Sequence, residues 1–360
     1  MNGLFNYQIS TLSNQQIVLM IEENFSLKKY NTFGIDATAR YFSTFTNLDE
    51  LNKLLQFNQP STINHQPSTL ILGGGSNILF TKNFDGLVLK NDIQGIEKIK
   101  EDDDHVYVKA GAGVNWHQLV VHCINNNWAG MENLSLIPGN TGASPMQNIG
   151  AYGVEIKDVF FELEAFHLEE KKIATFNLKD CEFGYRESVF KRRSKNEFVI
   201  ANVTYRLNKK PVFNTSYGAI EEELEAMGVT ELTIQAISQA VINIRRSKLP
   251  DPAEIGNAGS FFKNPETGKE KFELLKNDFP KIVGYQLPNG SIKLAAGWLI
   301  EQCGWKGYRK GDAGCHARQA LVLVNYGNAK GDEVLNLSEE IISSVKNKFD
   351  VQLEKEVNII

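Results

Sequence analysis

Leu70-Ile-Leu-Gly-Gly-Gly-Ser-Asn77 is an apolar strand that runs directly into a glycine-rich loop. Glycine tolerates positive φ, so successive backbone N–H groups of such a loop can point at one anion, and Ser76 and Asn77 add a hydroxyl and an amide. The loop therefore predicts a phosphate or pyrophosphate site, with a tight turn as the alternative interpretation. It matches neither Gly-x-Gly-x-x-Gly nor a P-loop, because no Lys-Ser/Thr pair follows, and this disfavours a Rossmann site.

A second irregular stretch has the sequence Ile137-Pro-Gly-Asn-Thr-Gly-Ala-Ser-Pro-Met-Gln-Asn-Ile-Gly-Ala-Tyr-Gly153. Its glycines, prolines and small polar residues exclude a long regular element, and long irregular segments of compact domains are usually functional. Two phosphate-binding loops in one chain suit a dinucleotide whose pyrophosphate lies between them. Together they favour a nucleotide cofactor.

The composition is that of a globular protein with two or three domains. The 360 residues are 42% hydrophobic and 22% charged, which excludes a disordered chain, a coiled coil and a collagen-like fibre. A net charge of −5 without a basic tail argues against nucleic-acid binding. The four cysteines are scattered, no apolar run is long enough to span a bilayer, and no Lys or Arg precedes residue 28. We therefore expect a cytoplasmic protein with reduced thiols, no metal site and no membrane insertion.

Hydrophobic periodicity predicts a mixed α+β pattern rather than a regular βαβ array. Helices are predicted at about 47–57, 115–127, 230–246 and 331–349. The third of these is followed by a Pro-rich break at Lys248-Leu-Pro-Asp-Pro252, which a helix cannot cross. Strands are predicted at Thr69–Leu72, Ile96–Ile99, Val106–Ala110 and Phe198–Tyr205, with Asp102–Asp104 as a hairpin tip, and the closing segment from Val351 to Ile359 alternates as a strand would.

Several polar residues are candidates for chemistry. Arg186, near a turn, could clamp a carboxylate at two points, or form a surface salt bridge. Ser260 lies beside Lys263, Asn264 and two aromatic residues, outside any Gly-x-Ser-x-Gly elbow, and a plain loop serine is the alternative.

Other charged residues and the histidines can be explained without a role in chemistry. Arg245, Arg246 and Lys248 form a positive cluster suited to phosphates, or a solvated helix end. Alternation alone would turn Glu356 to solvent. The histidines lack carboxylate or thiol neighbours at ligand spacing, which makes them structural or surface residues: His117, His122 and His316.

Taken in order along the chain, these segments resemble the UDP-N-acetylenolpyruvoylglucosamine reductase (MurB) family. The motifs that carry the resemblance are Asn31-Thr-Phe-Gly-Ile-Asp36, Gly73-Gly-Gly-Ser-Asn77, Ile137-Pro-Gly139, Gln147-Asn-Ile-Gly-Ala-Tyr-Gly153, Phe183-Gly-Tyr-Arg-Glu-Ser188, Lys248-Leu-Pro-Asp-Pro252, Gly256-Asn-Ala-Gly-Ser-Phe-Phe-Lys-Asn-Pro265, Lys293-Leu-Ala-Ala-Gly-Trp-Leu-Ile300 and Leu353-Glu-Lys-Glu-Val357. Thr215-Ser-Tyr-Gly218 is similar to the tyrosine-bearing loop of the longer subclass.

The resemblance implies an α+β protein with the FAD-binding fold of the vanillyl-alcohol-oxidase (PCMH) type and a C-terminal substrate-binding α+β subdomain. The implied boundaries are residues 1–92 for a first FAD-binding subdomain, joined by the C-terminal strand 350–360. Residues 93–247 would form the second, and residues 248–349 the substrate-binding subdomain.

The reaction that the resemblance implies is reduction of UDP-N-acetylglucosamine enolpyruvate to UDP-N-acetylmuramate in peptidoglycan precursor synthesis, through FAD and with NADPH as hydride-donating cosubstrate. Ser260 matches the family's proton donor, Arg186 its carboxylate-stabilising arginine and Glu356 the acidic partner. The other matching positions are cofactor-binding Gly73, Gly74, Gly75, Ser76, Asn77, Ser144 and Gly153, and substrate-binding Tyr217, Arg245, Lys248, Asn264 and Gln319. A monomer that binds the UDP-sugar and NADPH is expected.

Two rival functions and three departures accompany the resemblance. A flavin-dependent alcohol oxidase of the same superfamily is disfavoured because no His or Cys stands in a covalent flavin-attachment context. A non-catalytic sugar-nucleotide-binding module would have no reason to keep Ser260, Arg186 and Glu356 together. The chain carries about twenty residues before the family's usual start, Asn358 replaces a common basic residue, and Gly74 occupies a variable position.

Overall fold

The computed structural model describes residues 20–57 and 68–360. The predicted N-terminal extension, residues 1–19, lies outside them. The strands in chain order are β1 (Glu22–Ser26), β2 (Thr38–Phe45), β3 (Ser68–Leu72), β4 (Ile78–Leu79), β5 (Phe84–Asn91), β6 (Ile96–Glu101), β7 (His105–Gly111), β8 (Gly150–Ala151), β9 (Val154–Glu155), β10 (Phe160–His167), β11 (Ile173–Asn177), β12 (Phe198–Asn208), β13 (Gly256–Ser260), β14 (Glu266–Thr267), β15 (Gly284–Gln286), β16 (Ile292–Leu294), β17 (Arg309–Lys310), β18 (Ala313–Cys315), β19 (Val322–Asn325) and β20 (Asn358–Ile359).

The helices agree with the periodicity where the pattern is long. They are α1 (Leu48–Phe57), α2 (Trp116–Asn125), α3 (Gly218–Ala226), α4 (Ile234–Lys248), α5 (Lys269–Asp278), α6 (Ala296–Gln302) and α7 (Gly331–Phe349). The four predicted helices are confirmed as α1, α2, α4 and α7, and α4 ends at the predicted break before Pro250. The helix α3 follows the loop Thr215–Gly218 that the resemblance identified, whereas α5 and α6 had no prediction, because α5 is mostly polar and α6 is only seven residues long.

Contacts divide the chain into two compact units. Unit 1 comprises the described residues of 1–25, 39–74 and 84–247, and unit 2 comprises residues 26–38, 75–83 and 248–360. The three-subdomain boundaries that the resemblance implies stay a prediction.

Unit 1 contains two large sheets and the short antiparallel pair β8-β9. The first has the order β1-β2-β5-β3, with β2 and β3 both parallel to β5. The second is antiparallel, with the order β11-β10-β12-β7-β6, and the predicted tip at Asp102 joins β6 to β7. Its core includes the buried Trp116, whose indole N–H donates to the Leu134 carbonyl at 2.9 Å, so the ring is buried without an unsatisfied donor.

Unit 2 contains the sheets β13-β19-β18-β17 and β14-β16-β15, together with the pair β20-β4. The long helix α7 packs on β18 and β19 and buries its apolar positions, among them Val334, Leu337 and Ile341.

The prediction of one continuous strand from Val351 to Ile359 is wrong. Val351, Leu353 and Val357 are buried while Gln352 and Glu354 are exposed, so the alternation of burial is real. Regular pairing is nevertheless limited to β20 with β4, plus an isolated bridge between Phe262 and Lys355. Alternation reports which side chains are buried, whereas a strand also needs a partner along its length.

Candidate active site

The glycine loop between β3 and β4 contains three glycines in different surroundings. Gly75 has φ +65°, and a Cβ there would lie 2.0 Å from the Tyr30 carbonyl oxygen. A Cβ on Gly74 would lie 2.9 Å from the Gly139 Cα, whereas one on Gly73 would meet no protein atom within 4 Å. Close backbone approach therefore explains two of the glycines. The third lines open space, which a bound pyrophosphate can approach, so the loop fits an FAD phosphate cradle.

The segment Asn31–Asp36 supports this loop, a role that sequence reasoning missed. The amide of Asn31, which is buried, donates to the Leu27 and Ile35 carbonyls at 2.8 and 3.0 Å and so closes the turn. Next to it, the Thr32 N–H donates to the Gly75 carbonyl at 3.1 Å, and the Thr32 carbonyl accepts from the Asn257 N–H at 2.9 Å. One turn thus links the glycine loop to β13. In the sequence, the available signal was an Asn followed three residues later by a Gly, a combination typical of tight turns.

The second irregular loop places its predicted cofactor residues differently. Ser144 is buried, and its hydroxyl bonds to the Thr141 carbonyl at 2.8 Å and to the Tyr205 hydroxyl at 2.7 Å. Burial raises the pKa of Tyr205 far above its usual value, so the phenol stays protonated in this pair. Gly153 is exposed with φ +82°. The cofactor contacts of Ser144 and Gly153 stay predictions.

Arg186 occupies a tight turn and reaches the same loop. Its φ is +53°, and Gly184 and Glu187 pair across the turn. The guanidinium Nη2 donates to the Gly150 carbonyl at 2.7 Å. Residues other than glycine rarely adopt a positive φ, so the backbone of Arg186 is held in this conformation by its surroundings. The guanidinium is therefore fixed before any substrate binds.

Tyr217 lies at the end of an irregular segment and caps the start of α3. Its side chain is 48% exposed, and its ring meets the Tyr152 ring edge-on at a centroid distance of 5.5 Å. Tyr152 belongs to the second loop, so the structure brings the predicted substrate tyrosine to the end of that loop.

Arg245 is a partly buried cation on α4. Its Nε donates to the Leu136 carbonyl at 3.2 Å. Burial lowers the pKa of Arg245, and the nearby Tyr152 opposes that shift. Among the residues that the structure describes, Arg245 forms no ion pair with a carboxylate. A partly desolvated cation without an anionic partner favours the binding of an anion.

Ser260 ends β13, where the strand is irregular. The register against β19 shifts between Asn257 and Ser260, and Gly259 within that bulge has φ +70°. The buried Asn257 holds the bulge through its Oδ1, which accepts the Gly259 N–H at 2.9 Å. Bulges of this kind re-aim a side chain, here that of Ser260, which is half-buried.

Glu356 lies on the segment paired with the residues that follow Ser260. Its N–H donates to the Phe261 carbonyl at 2.8 Å, and the Lys263 N–H donates to the Glu354 carbonyl at 2.9 Å. The Asn77 amide donates to the Glu356 carbonyl at 3.3 Å. Unit 2 therefore brings Ser260, Lys263, Glu356 and the end of the glycine loop together. Glu356 itself is half-buried rather than fully exposed.

Asn264 and Gln319 both approach the first turn of α6. The Asn264 Oδ1 accepts the Ala296 N–H at 2.9 Å, and a Cβ on Gly297 would lie 2.9 Å from the Gln319 Oε1. Lys248, by contrast, is exposed at the end of α4. Two of the predicted substrate residues of unit 2 thus lie against the start of the same helix. A cavity of about 400 Å³ elsewhere in unit 2, beside the start of α7, contains none of them.

Comparison with known proteins decides the family. Two models match: an FAD binding domain at residues 40–170, and the C-terminal domain of UDP-N-acetylenolpyruvoylglucosamine reductase at residues 251–360. Proteins named UDP-N-acetylenolpyruvoylglucosamine reductase are 54% identical in Amoebophilus asiaticus and 51% identical in Flavobacterium johnsoniae, each covering 94% of this chain and 99% of the relative. The chain belongs to the UDP-N-acetylenolpyruvoylglucosamine reductase family. The resemblance is confirmed.

A solved structure of the family supports the fold. The reductase (MurB) from Thermus caldophilus aligns over 95% of this chain and 99% of its own, with a TM-score of 0.64 at 22% identity. Together with the two family models, it confirms the predicted α+β fold of an FAD-binding domain followed by a C-terminal domain. FAD is the cofactor, and the FAD-binding match contains Gly73–Asn77, Ser144 and Gly153. The individual site residues stay predictions.

The remaining candidates do not point to other chemistry. Burial raises the pKa of Cys123, Cys181 and Cys315 to about 12, which keeps these thiols protonated and unreactive. Within residues 20–57 and 68–360, no group of three or more metal-ligating side chains occurs, and no helix is long and apolar enough to cross a bilayer.

Proposed function

We propose that the protein reduces UDP-N-acetylenolpyruvoylglucosamine to UDP-N-acetylmuramate with NADPH, through FAD, in peptidoglycan precursor synthesis. The observation that carries the proposal is the meeting of Ser260, Lys263 and Glu356 with Asn77 of the glycine loop, in a chain of this family. When bound, FAD would supply the transfer of a hydride from NADPH to the enolpyruvyl double bond. The protein must then supply one proton and stabilise the charge that develops on the carboxylate side.

Arg186 is proposed to stabilise that developing charge. Its guanidinium is fixed by the bond to the Gly150 carbonyl, so little reorganisation is needed when charge appears. A preorganised donor of this kind contributes about 3 to 4 kcal/mol to transition-state stabilisation. Glu356 is proposed as its acidic partner in the reaction.

Ser260 is proposed to donate the proton. A serine hydroxyl is a weak acid at neutral pH, but an enolate-like intermediate is a strong base. The ammonium group of Lys263, three residues further along the same segment, lies 3.5 Å from the exposed Glu354 carboxylate. Its positive charge is proposed to favour the alkoxide that Ser260 becomes when it gives up its proton. The bulge at Gly259 is the local feature that sets the direction of the hydroxyl.

Cations and amides are proposed to bind the sugar nucleotide. Arg245 offers a partly desolvated positive charge, and Tyr217 is exposed, so that its phenol O–H could donate to the phosphates. Lys248, Asn264 and Gln319 are proposed as further contacts. We also propose that the protein acts as a cytoplasmic monomer without nucleic-acid partners.

The test is to separate the two half-reactions. The purified holoenzyme is expected to be yellow, and NADPH consumption should require the enolpyruvyl sugar nucleotide. Ser260→Ala should still allow NADPH to bleach the flavin at a nearly normal rate, while steady-state turnover falls at least about a thousandfold. Ser291→Ala, on a surface hairpin of the same unit, serves as the control and should keep full activity.

Three outcomes would contradict the proposal. A protein without flavin absorbance after reconstitution with FAD would exclude it. Oxidation of an alcohol without the sugar nucleotide would indicate an oxidase instead. Loss of both half-reactions in Ser260→Ala would remove the role assigned to that hydroxyl.

A further inference from the structure

Asn133 joins two segments that the proposed function uses. It lies in the single turn Glu132–Leu134 and is 1% exposed. Its Nδ2 donates to the Tyr152 carbonyl at 3.0 Å and to the Asn214 carbonyl at 2.8 Å. Both hydrogens of this buried amide therefore bond to the main chain, one at the end of the second irregular loop and one in the segment that carries Tyr217.

That segment, residues 209–217, runs between β12 and α3 without regular structure and is here called the tyrosine segment. Most of it is exposed, including Val212 at 76% and Tyr217 at 48%. A segment with so few buried apolar contacts depends on its hydrogen bonds for a fixed position.

Further contacts continue the connection from Asn133 to Tyr217. The Asn214 amide donates to the Gly153 carbonyl at 3.2 Å, and the Ser216 hydroxyl donates to the Asn214 Oδ1 at 3.0 Å. One residue on, the Tyr217 ring contacts the Tyr152 ring. Both carbonyls that Asn133 holds therefore belong to residues in this contact network.

We propose that Asn133 is a positioning residue that fixes the tyrosine segment, and with it Tyr217, for binding of the sugar nucleotide's diphosphate. The inference rests on the proposed function of Tyr217 as a substrate contact. Asn133 acts through main-chain carbonyls and touches neither substrate nor cofactor in this role. Its removal should weaken substrate binding and leave the reaction of the cofactor with NADPH unchanged.

Asn133→Asp tests the proposal because the carboxylate keeps the shape of the amide and loses both donors. The KM for the enolpyruvyl sugar nucleotide should rise about tenfold, with kcat within about threefold and flavin bleaching by NADPH unchanged. The matched control is Asn91→Asp. Asn91 is also buried, and its amide donates to the Ile200 carbonyl at 2.9 Å, away from the tyrosine segment. That control should leave the KM unchanged.

Two further measurements distinguish positioning from a general loss of structure. Hydrogen exchange of residues 212–218 should accelerate in Asn133→Asp and not in Asn91→Asp. In a double-mutant cycle, Asn133→Asp should raise the KM much less when Tyr217 is already alanine, because the two changes remove the same interaction. An unchanged KM, an unchanged exchange rate, or full additivity with Tyr217→Ala would overturn the proposal.

A second variant covers the case in which Asn133→Asp does not fold. Asn133→Ala removes both donors without placing a negative charge at the buried position, and it should raise both the KM and the exchange of the tyrosine segment. No change in either quantity would overturn the proposal. Failure of the proposed function can be told apart from failure of this inference. In the first case the wild-type protein would not reduce the sugar nucleotide at all, while the exchange data would still show whether Asn133 fixes the tyrosine segment.

Discussion

Gly73 and Gly75 are two residues apart in the sequence, but they differ in what a methyl group would meet. An alanine at position 75 needs φ near +65° and overlaps the Tyr30 carbonyl, so Gly75→Ala should lower both stability and flavin content. An alanine at position 73 meets no protein atom within 4 Å. If this space receives the cofactor, Gly73→Ala should keep the melting temperature of the apoprotein within about 2 °C but lower flavin occupancy at least about tenfold. Full flavin occupancy in Gly73→Ala would contradict the cradle.

His117 holds a strained residue through a bond that acid should break. Its Nδ1 accepts the Leu136 N–H at 3.0 Å, and Leu136 has φ +59°. Burial, then Arg246 and Arg245, lower the pKa of His117 below 6.5. Below pH 6.5 the His117 imidazole is protonated in the unfolded chain but stays neutral in the folded protein. The stabilising contribution is therefore present above that pH and is lost as the pH falls toward the lowered pKa.

His117→Asn checks this pH dependence, because its side-chain oxygen can still accept the Leu136 N–H and does not titrate. Between about pH 7.5 and about pH 5.5, the free energy of unfolding should fall less in His117→Asn than in the wild-type protein. Equal slopes in urea titrations at a series of pH values would show that His117 does not titrate in this window.

At the scale of elements, the start of α7 is fixed by close contact with another segment of unit 2. A Cβ on Gly331 would lie 1.8 Å from the Phe80 carbonyl oxygen, which is backbone and cannot move aside cheaply. Gly331→Ala should therefore lower the free energy of unfolding by about 1 to 3 kcal/mol, as measured by thermal or urea unfolding. Gly268→Ala is the control at the start of α5, where a Cβ meets nothing within 4 Å, and should cost less than about 1 kcal/mol. Equal losses in both variants would show that the contact at Gly331 is unimportant.

A helix or strand could be predicted from the sequence where its own residues repeat apolar positions at the matching period. The helix α7 repeats apolar residues over five turns and buries them, so its sequence is sufficient to predict it. The C-terminal segment shows the limit, since its alternating burial is real but its pairing depends on residues 78–79 and 261–263. Pairing partners distant in sequence leave no local pattern.

At the scale of the whole molecule, ordered motifs predicted the family and the cofactor, whereas long-range contacts were not predictable. Asn133 and Asn214 are 81 residues apart, and the connection of Thr32 to Gly75 and Asn257 also spans distant parts of the chain. The net charge of −5 carries no information about an anionic substrate. Local cations such as Arg245 and Lys263 determine where an anion can bind.

The reaction of this family requires that a hydride pass from NADPH through FAD to the enolpyruvyl sugar nucleotide. An anaerobic single-turnover experiment tests it most directly. Holoenzyme is titrated with one equivalent of NADPH until the flavin absorbance near 450 nm bleaches, and is then mixed rapidly with UDP-N-acetylenolpyruvoylglucosamine. The absorbance should return at a rate typical of enzymes, ~10 s⁻¹. We expect stoichiometric return of the absorbance and one equivalent of UDP-N-acetylmuramate. A flavin that stays bleached until oxygen is admitted would contradict it.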